Sequence, residues 1–223
     1  ITAWLVEAHD IPFTALEIRF RGGTSLDAPD TRGAVNLMTA LIEEGAADLD
    51  SQGFAEARDA LAASFSFSAD EDGVAVSAQF LSENREQAVE LLRKALQEPR
   101  FDPEALERVR GQVLAGLRSD EKDPDAIAGK LLRKMAFGDH PYGSSGDGTV
   151  DTVTALTRDD ILAAHRGALA RDRVYVAAAG DITPEQLGRI VDQLLGALPE
   201  TGAPMPAKAD YLLTGGTTVQ DFP

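Results

Sequence analysis

"SFSFSADEDGVAVSAQFL", residues 64–81, alternates apolar with small or polar residues on both sides of Asp70, Glu71, Asp72 and Gly73. A period of two puts every second side chain on one face of an extended chain. A short acidic turn ending in glycine joins two such runs most simply as a hairpin. The stretch therefore predicts an antiparallel pair with one buried face. The three carboxylates read as a solvated hairpin tip, since calcium needs more oxygen ligands than so tight a turn supplies.

Upstream, "AWLVE" (3–7) and "FTALEIRF" (13–20) are also strand-like, and "AHDIP" between them reads as the turn of another hairpin. "GGTSLDAPDTRG" (22–33) is a loop that offers Asp30 or Thr31 as cap for an apolar helix over 32–44. Ser51 opens a second helix and Ser82 caps a third. Pro103 starts a fourth that runs to about Asp120, and "PDAIAGKLLRKMAFG" (124–138) forms a fifth. "DHPYGSSGDGTVDTVTAL" (139–156) reads as a long loop. It is followed by a helix capped by Thr157, a buried strand in "RVYVAAAGDI" (173–182), and a helix with Thr183 as cap and Pro184 at its first position. Roughly four or five strands and about six helices, without regular crossover spacing, predict an α+β domain. Its sheet is mixed or antiparallel, with helices packed on one face.

The net charge of −16 disfavours nucleic acid and anionic membrane surfaces and favours basic peptides or a basic partner. The absence of cysteine excludes thiol nucleophiles, disulfides and thiolate metal sites. "GSSGDG" (143–148) has neither the spacing nor the preceding strand of a phosphate loop or nucleophile elbow. His9, His140 and His165 stand alone, with no second histidine at ligand spacing, and read as structural or solvent-facing. Glu43 and Glu44 are neighbours on one helix, so their side chains diverge, and they read as a solvated helix end.

Four landmarks occur in an order that resembles the amino-terminal half of the pitrilysin/insulinase family of zinc peptidases, in the style of the mitochondrial processing peptidase. They are "FRGGTSLDAPDTRGAVNLMTALIEEGA" (20–46), "FDPEALERVRGQVLAGLRSDEKDP" (101–124), "FGDHPYG" (137–143) followed by "GT", and "LTRDDILAAHRGALARDRVYVAAAGDI" (156–182). The resemblance covers about residues 1–200 and implies the metallopeptidase fold. Residues 201–223 then resemble a linker and the first strand of a second homologous half. Catalytic members carry an inverted His-x-x-Glu-His motif on the first helix: two histidines on one helix face grip zinc, and the glutamate activates its water. A later glutamate completes the ligand set. The matching positions here are Asn36, Thr39, Ala40 and Gly116. The resemblance thus implies an inactive member, with no metal and no cofactor.

The implied role is the non-catalytic subunit of a heterodimeric peptidase, with a His-x-x-Glu-His chain as partner and peptides bound as an added strand. The alternatives are a structural protein of a larger complex, like the zinc-less core subunits of respiratory complexes, or an active peptidase with unrecognised ligands. The numbered chain opens inside a strand pattern, which predicts a leader or short start ahead of it. Export to the periplasm fits that reading, with the cytoplasm as the alternative.

Overall fold

The computed structural model describes residues 1–221. In chain order the elements are β1 (Thr2–Glu7), β2 (Phe13–Arg21), α1 (Ala34–Leu41), β3 (Gly45–Ala46), β4 (Leu49–Asp50), α2 (Ser51–Ala60), β5 (Ser64–Ala69), β6 (Gly73–Leu81), α3 (Arg85–Gln97), α4 (Pro103–Asp120), α5 (Pro124–Phe137), α6 (Val150–Ala155), α7 (Arg158–Ala168), β7 (Val174–Gly180) and α8 (Pro184–Leu195). The main sheet has five strands in the order β1-β7-β2-β6-β5. All neighbours are antiparallel except β1 and β7, so the sheet is mixed. The hairpin at 64–81 pairs Ser64 with Gln79 and Ala69 with Val74, as its alternation requires.

One face of the sheet is apolar. Leu16, Ile18 and Phe20 of β2, Val74, Val76 and Phe80 of β6, and Val176 and Ala178 of β7 are buried in a single core with α1, α3, α7 and α8. Burying side chains of this size drives the association of sheet and helices. The opposite face carries Trp4, Arg19 and Tyr175, all exposed. Trp4 stacks on Tyr175 with ring centroids 5.9 Å apart.

The first hairpin does not form: β7 lies between β1 and β2 and pairs with both. A central strand must bury one face, and β7 offers Val174, Val176 and Ala178, whereas β1 has no fully buried residue. The more apolar strand therefore takes the central place, and β1 is left at the edge.

Several helix starts also differ from expectation. Gly33 stands at the N-cap of α1, and the Asp27 carboxylate takes up N–H groups at the helix start, accepting from Gly33 (3.0 Å) and Val35 (3.1 Å). Gly33 has φ +100°, and a Cβ there would lie 2.7 Å from the Asp147 carbonyl, so the turn requires glycine. That turn directs the first helical N–H groups back to Asp27, past Asp30 and Thr31. Burial pushes Asp27 up to about 6. Asp50, one residue before Ser51, caps α2 through Gly53 N–H (2.8 Å). Ser82 is drawn to Asp181 instead, and α3 begins at Arg85. The loop expected over 139–156 contains α6. It is too short to show apolar periodicity, but it carries a reciprocal cap between Thr149 and Thr152. Thr157, Thr183 and Pro184 stand where expected.

Arg32, 4% exposed, joins two loops. Its guanidinium donates to the carbonyls of Thr24, Ser145 (3.1 Å), Pro141 (2.7 Å) and Ser144 (3.3 Å). Arg110 does the same for α6, donating to the carbonyls of Val153 (2.5 Å), Thr154 (3.2 Å) and Leu156 (2.8 Å). Buried carbonyls left without donors are costly. Arg32→Met is therefore expected to destabilise the fold by about 3 kcal/mol, read as a lower denaturant midpoint in equilibrium unfolding.

His165 is buried against Phe101, its Nε2 2.9 Å from the Leu96 carbonyl. A carbonyl only accepts, so Nε2 carries the proton. Burial holds this imidazole below its ordinary pKa, and the unfolded chain takes up a proton first. The stability it contributes is present above about pH 6.5 and is lost as pH falls through the lower folded value. The stability difference between wild type and His165→Gln should therefore shrink from about pH 7 to about pH 5, measured by chemical denaturation at each pH.

Candidate functional site

The glycine-rich loop, α1 and the hairpin β5–β6 meet at one end of the sheet. Gly22 N–H donates to the Asp72 carbonyl (2.6 Å), Thr24 N–H to that of Asp70 (2.8 Å) and Ser25 N–H to that of Glu71 (3.2 Å). This loop can lie so close because Gly23 has φ +48° and a Cβ there would reach within 2.1 Å of the Asp70 carbonyl. The hairpin tip is not merely solvated. Asp70 accepts from the N–H groups of Asp72 and Gly73, Glu71 pairs with Arg133 of α5, and the Tyr142 hydroxyl donates to Asp72. That carboxylate pushes the Tyr142 hydroxyl up to about 12. The tip thus ties the hairpin to α5 and to the segment after it.

From this anchor β5 runs as the outer strand of the sheet, paired on one side by β6. Phe65 points inward and is tilted against Phe54 of α2 at 6.4 Å between centroids. Ser64, Ser66 and Ser68 are exposed. Strands at a sheet edge leave alternate N–H and C=O groups directed outward, where an extended chain can pair with them. This edge packs beside α1, and its place at the outside of the sheet follows from the strand order.

On α1, Leu37, Met38, Leu41 and the following Ile42 are fully buried. Asn36 is half-buried, Ala40 is exposed, and Thr39 is buried, its hydroxyl donating to the Asn36 carbonyl at 2.9 Å. Gly116 lies exposed on α4, which packs on α1, and a Cβ there would meet no atom within 4 Å. This donor set does not fit a zinc ion. Asn36 offers a neutral amide, Thr39 is committed to the backbone, and Ala40 and Gly116 offer no donor. Among the described residues no three or more His, Asp or Glu side chains are arranged to hold a metal.

The three histidines are far apart in the fold. His9 lies in the β1–β2 connection and His165 in the core, while His140 follows α5, with Nε2 2.9 Å from the Ala207 carbonyl. Glu43 and Glu44 diverge, as adjacent helical residues must, but both are anchored rather than freely solvated. Glu43 pairs with Arg58 of α2 at 2.7 Å, and burial is the main cause that raises its pKa. Burial also pushes Glu44 upward, but hydrogen bonds from Arg108 of α4 and Ser51 more than reverse this, leaving it below the ordinary value. They are struts between helices and not a paired acid and base. No helix among the described residues is long and apolar enough to cross a membrane.

A family model described as Insulinase (Peptidase family M16) matches residues 4–149. Non-peptidase homolog YmxG of Helicobacter pylori is 27% identical over 194 residues, which are 87% of this chain and 45% of that protein. Mitochondrial-processing peptidase subunit beta of Saccharomyces cerevisiae is 26% identical over 129 residues, 58% of this chain and 28% of its own length. The crystal structure of a peptidase M16 inactive domain from Pseudomonas fluorescens matches with a TM-score of 0.86 at 30% identity, covering 93% of this chain and 52% of that one. The chain spans about half the length, or less, of these relatives. With the match reaching from β1 through α5 to the start of α6, and the same fold found in a solved relative, the chain belongs to the insulinase family of peptidases, family M16.

Proposed function

We propose that this chain is the non-catalytic member of a two-chain peptidase, binding peptide along the β5 edge while a homologous partner with a His-x-x-Glu-His helix performs hydrolysis. One observation carries the reading. An open strand edge lies beside α1, whose positions matching the zinc motif are Asn36, Thr39 and Ala40, with Gly116 at the later ligand position. Backbone pairing at such an edge needs no metal and tolerates many side chains, which suits a binding role that outlasts the chemistry. The kinship to a named non-peptidase homologue and to an inactive domain supports it, as does the kinship to a protein named as a subunit. The net charge of −16 favours basic peptides. Residues 201–223 belong in this reading to the linker and first strand of a second homologous half. The segment 201–221 makes no strand pairing, and 222–223 lie outside the described residues.

Two measurements test this. Asn36→His, Ala40→His and Gly116→Glu introduced together should give the chain one equivalent of bound zinc beyond that of the unaltered chain, read by calorimetry or elemental analysis. The added glutamate has open space at its Cβ. Failure of the folded triple variant to gain zinc would refute the assignment of these positions. Mixing the chain with a homologous His-x-x-Glu-His partner should yield peptide hydrolysis greater than that of either chain alone. A stable complex without any gain in activity would instead favour a structural role.

A further inference from the structure

Several elements end at Asp181, just beyond β7. Its carboxylate accepts from the Ser82 hydroxyl at the end of β6 (2.5 Å) and lies 2.8 Å from His9 Nδ1 in the β1–β2 connection. His9 Nε2 lies 3.5 Å from Glu7 at the end of β1. Arg85, from the start of α3, donates to the Asp181 carbonyl and lies 3.7 Å from its carboxylate. Asp10 adjoins His9 in the chain. One imidazole ring therefore stands between two carboxylates belonging to different elements. Only the imidazolium can donate at both nitrogens; the neutral ring can satisfy one of them.

We propose that His9, Asp181 and Glu7 form a proton-operated clasp on the edge strand β1, closed when His9 is protonated and loosened when it is neutral. β1 is the element that would respond. It pairs on one side with β7, and five of its six residues are exposed. Beyond that ladder it is held by the packing of Leu5 against the core, by the stacking of Trp4 on Tyr175 and by the groups around His9. The hydrogen bond to Asp181 raises the His9 pKa, and the bonds from Ser82 and His9 keep Asp181 below the usual carboxylate range. The extra hold is therefore complete below about pH 6.5 and is lost as pH rises through the raised value. The device regulates how firmly an exposed sheet edge and its aromatic shelf are held in mild acid compared with neutral or alkaline conditions.

Trp4 is the sole tryptophan, so its fluorescence reports on β1 alone. Acrylamide quenching of Trp4, followed from about pH 5.5 to about pH 8.5, should rise about twofold with a one-proton profile as the clasp opens. His9→Gln should abolish the profile, and Glu7→Gln should shift its midpoint to lower pH. A wild-type quenching constant that does not change across this range would overturn the proposal. So would an unchanged profile in His9→Gln, because the titration would then belong to another group.

Discussion

The guanidinium of Arg32 holds together two loops that lie more than a hundred residues apart in the chain. Its donors take up the carbonyls of Thr24 on one side and of Pro141, Ser144 and Ser145 on the other. A charged, planar donor can serve four acceptors at once, which no neutral side chain does. The residue after it, Gly33, turns the chain through a left-handed conformation, so that α1 departs toward the core while the side chain of Arg32 stays in the loops. The second loop continues into α6, whose last carbonyls are held by Arg110 of α4. Two buried cations thus connect α1 to α4 through a segment that looks irregular in sequence. The helices that carry Asn36, Thr39 and Ala40 on one side and Gly116 on the other are positioned by the same chain of contacts.

That arrangement separates stability from chemistry. The inward side of α1 is made of Leu37, Met38, Leu41 and Ile42, and its outgoing end is tied to α2 and α4 by Glu43 and Glu44. Asn36 and Ala40 lie outside that packing. Side-chain changes at these two positions leave the buried contacts intact, so they cost the fold little.

The sequence revealed those features whose physical cause is local. The hairpin at 64–81 follows from alternation, and α4, α7 and α8 follow from their proline starts or threonine caps. The opposite was true wherever a distant segment decided the outcome. β1 and β2 read as a hairpin because nothing nearby announces that β7 will enter between them. Nothing near Asp27 announces that it serves the start of α1, because its reach depends on the turn at Gly33. Ser82 serves Asp181, a residue 99 positions away. The positions matching the zinc motif are visible as text, but the β5 edge beside them exists only once the strand order is fixed.

The place of β7 also has a consequence for how the domain assembles. The hairpin β5–β6 closes a turn of a few residues, so its pairing is entropically cheap and can form early. β2 joins β6 across a gap of some fifty residues, whereas its other neighbour, β7, arrives only at residue 174. On a ribosome β2, β5 and β6 are present long before β7 is delivered, and until then one flank of β2 stays unpaired. Topology therefore makes the late-synthesised β7 the keystone, and the nascent chain must keep an apolar sheet edge soluble while it waits.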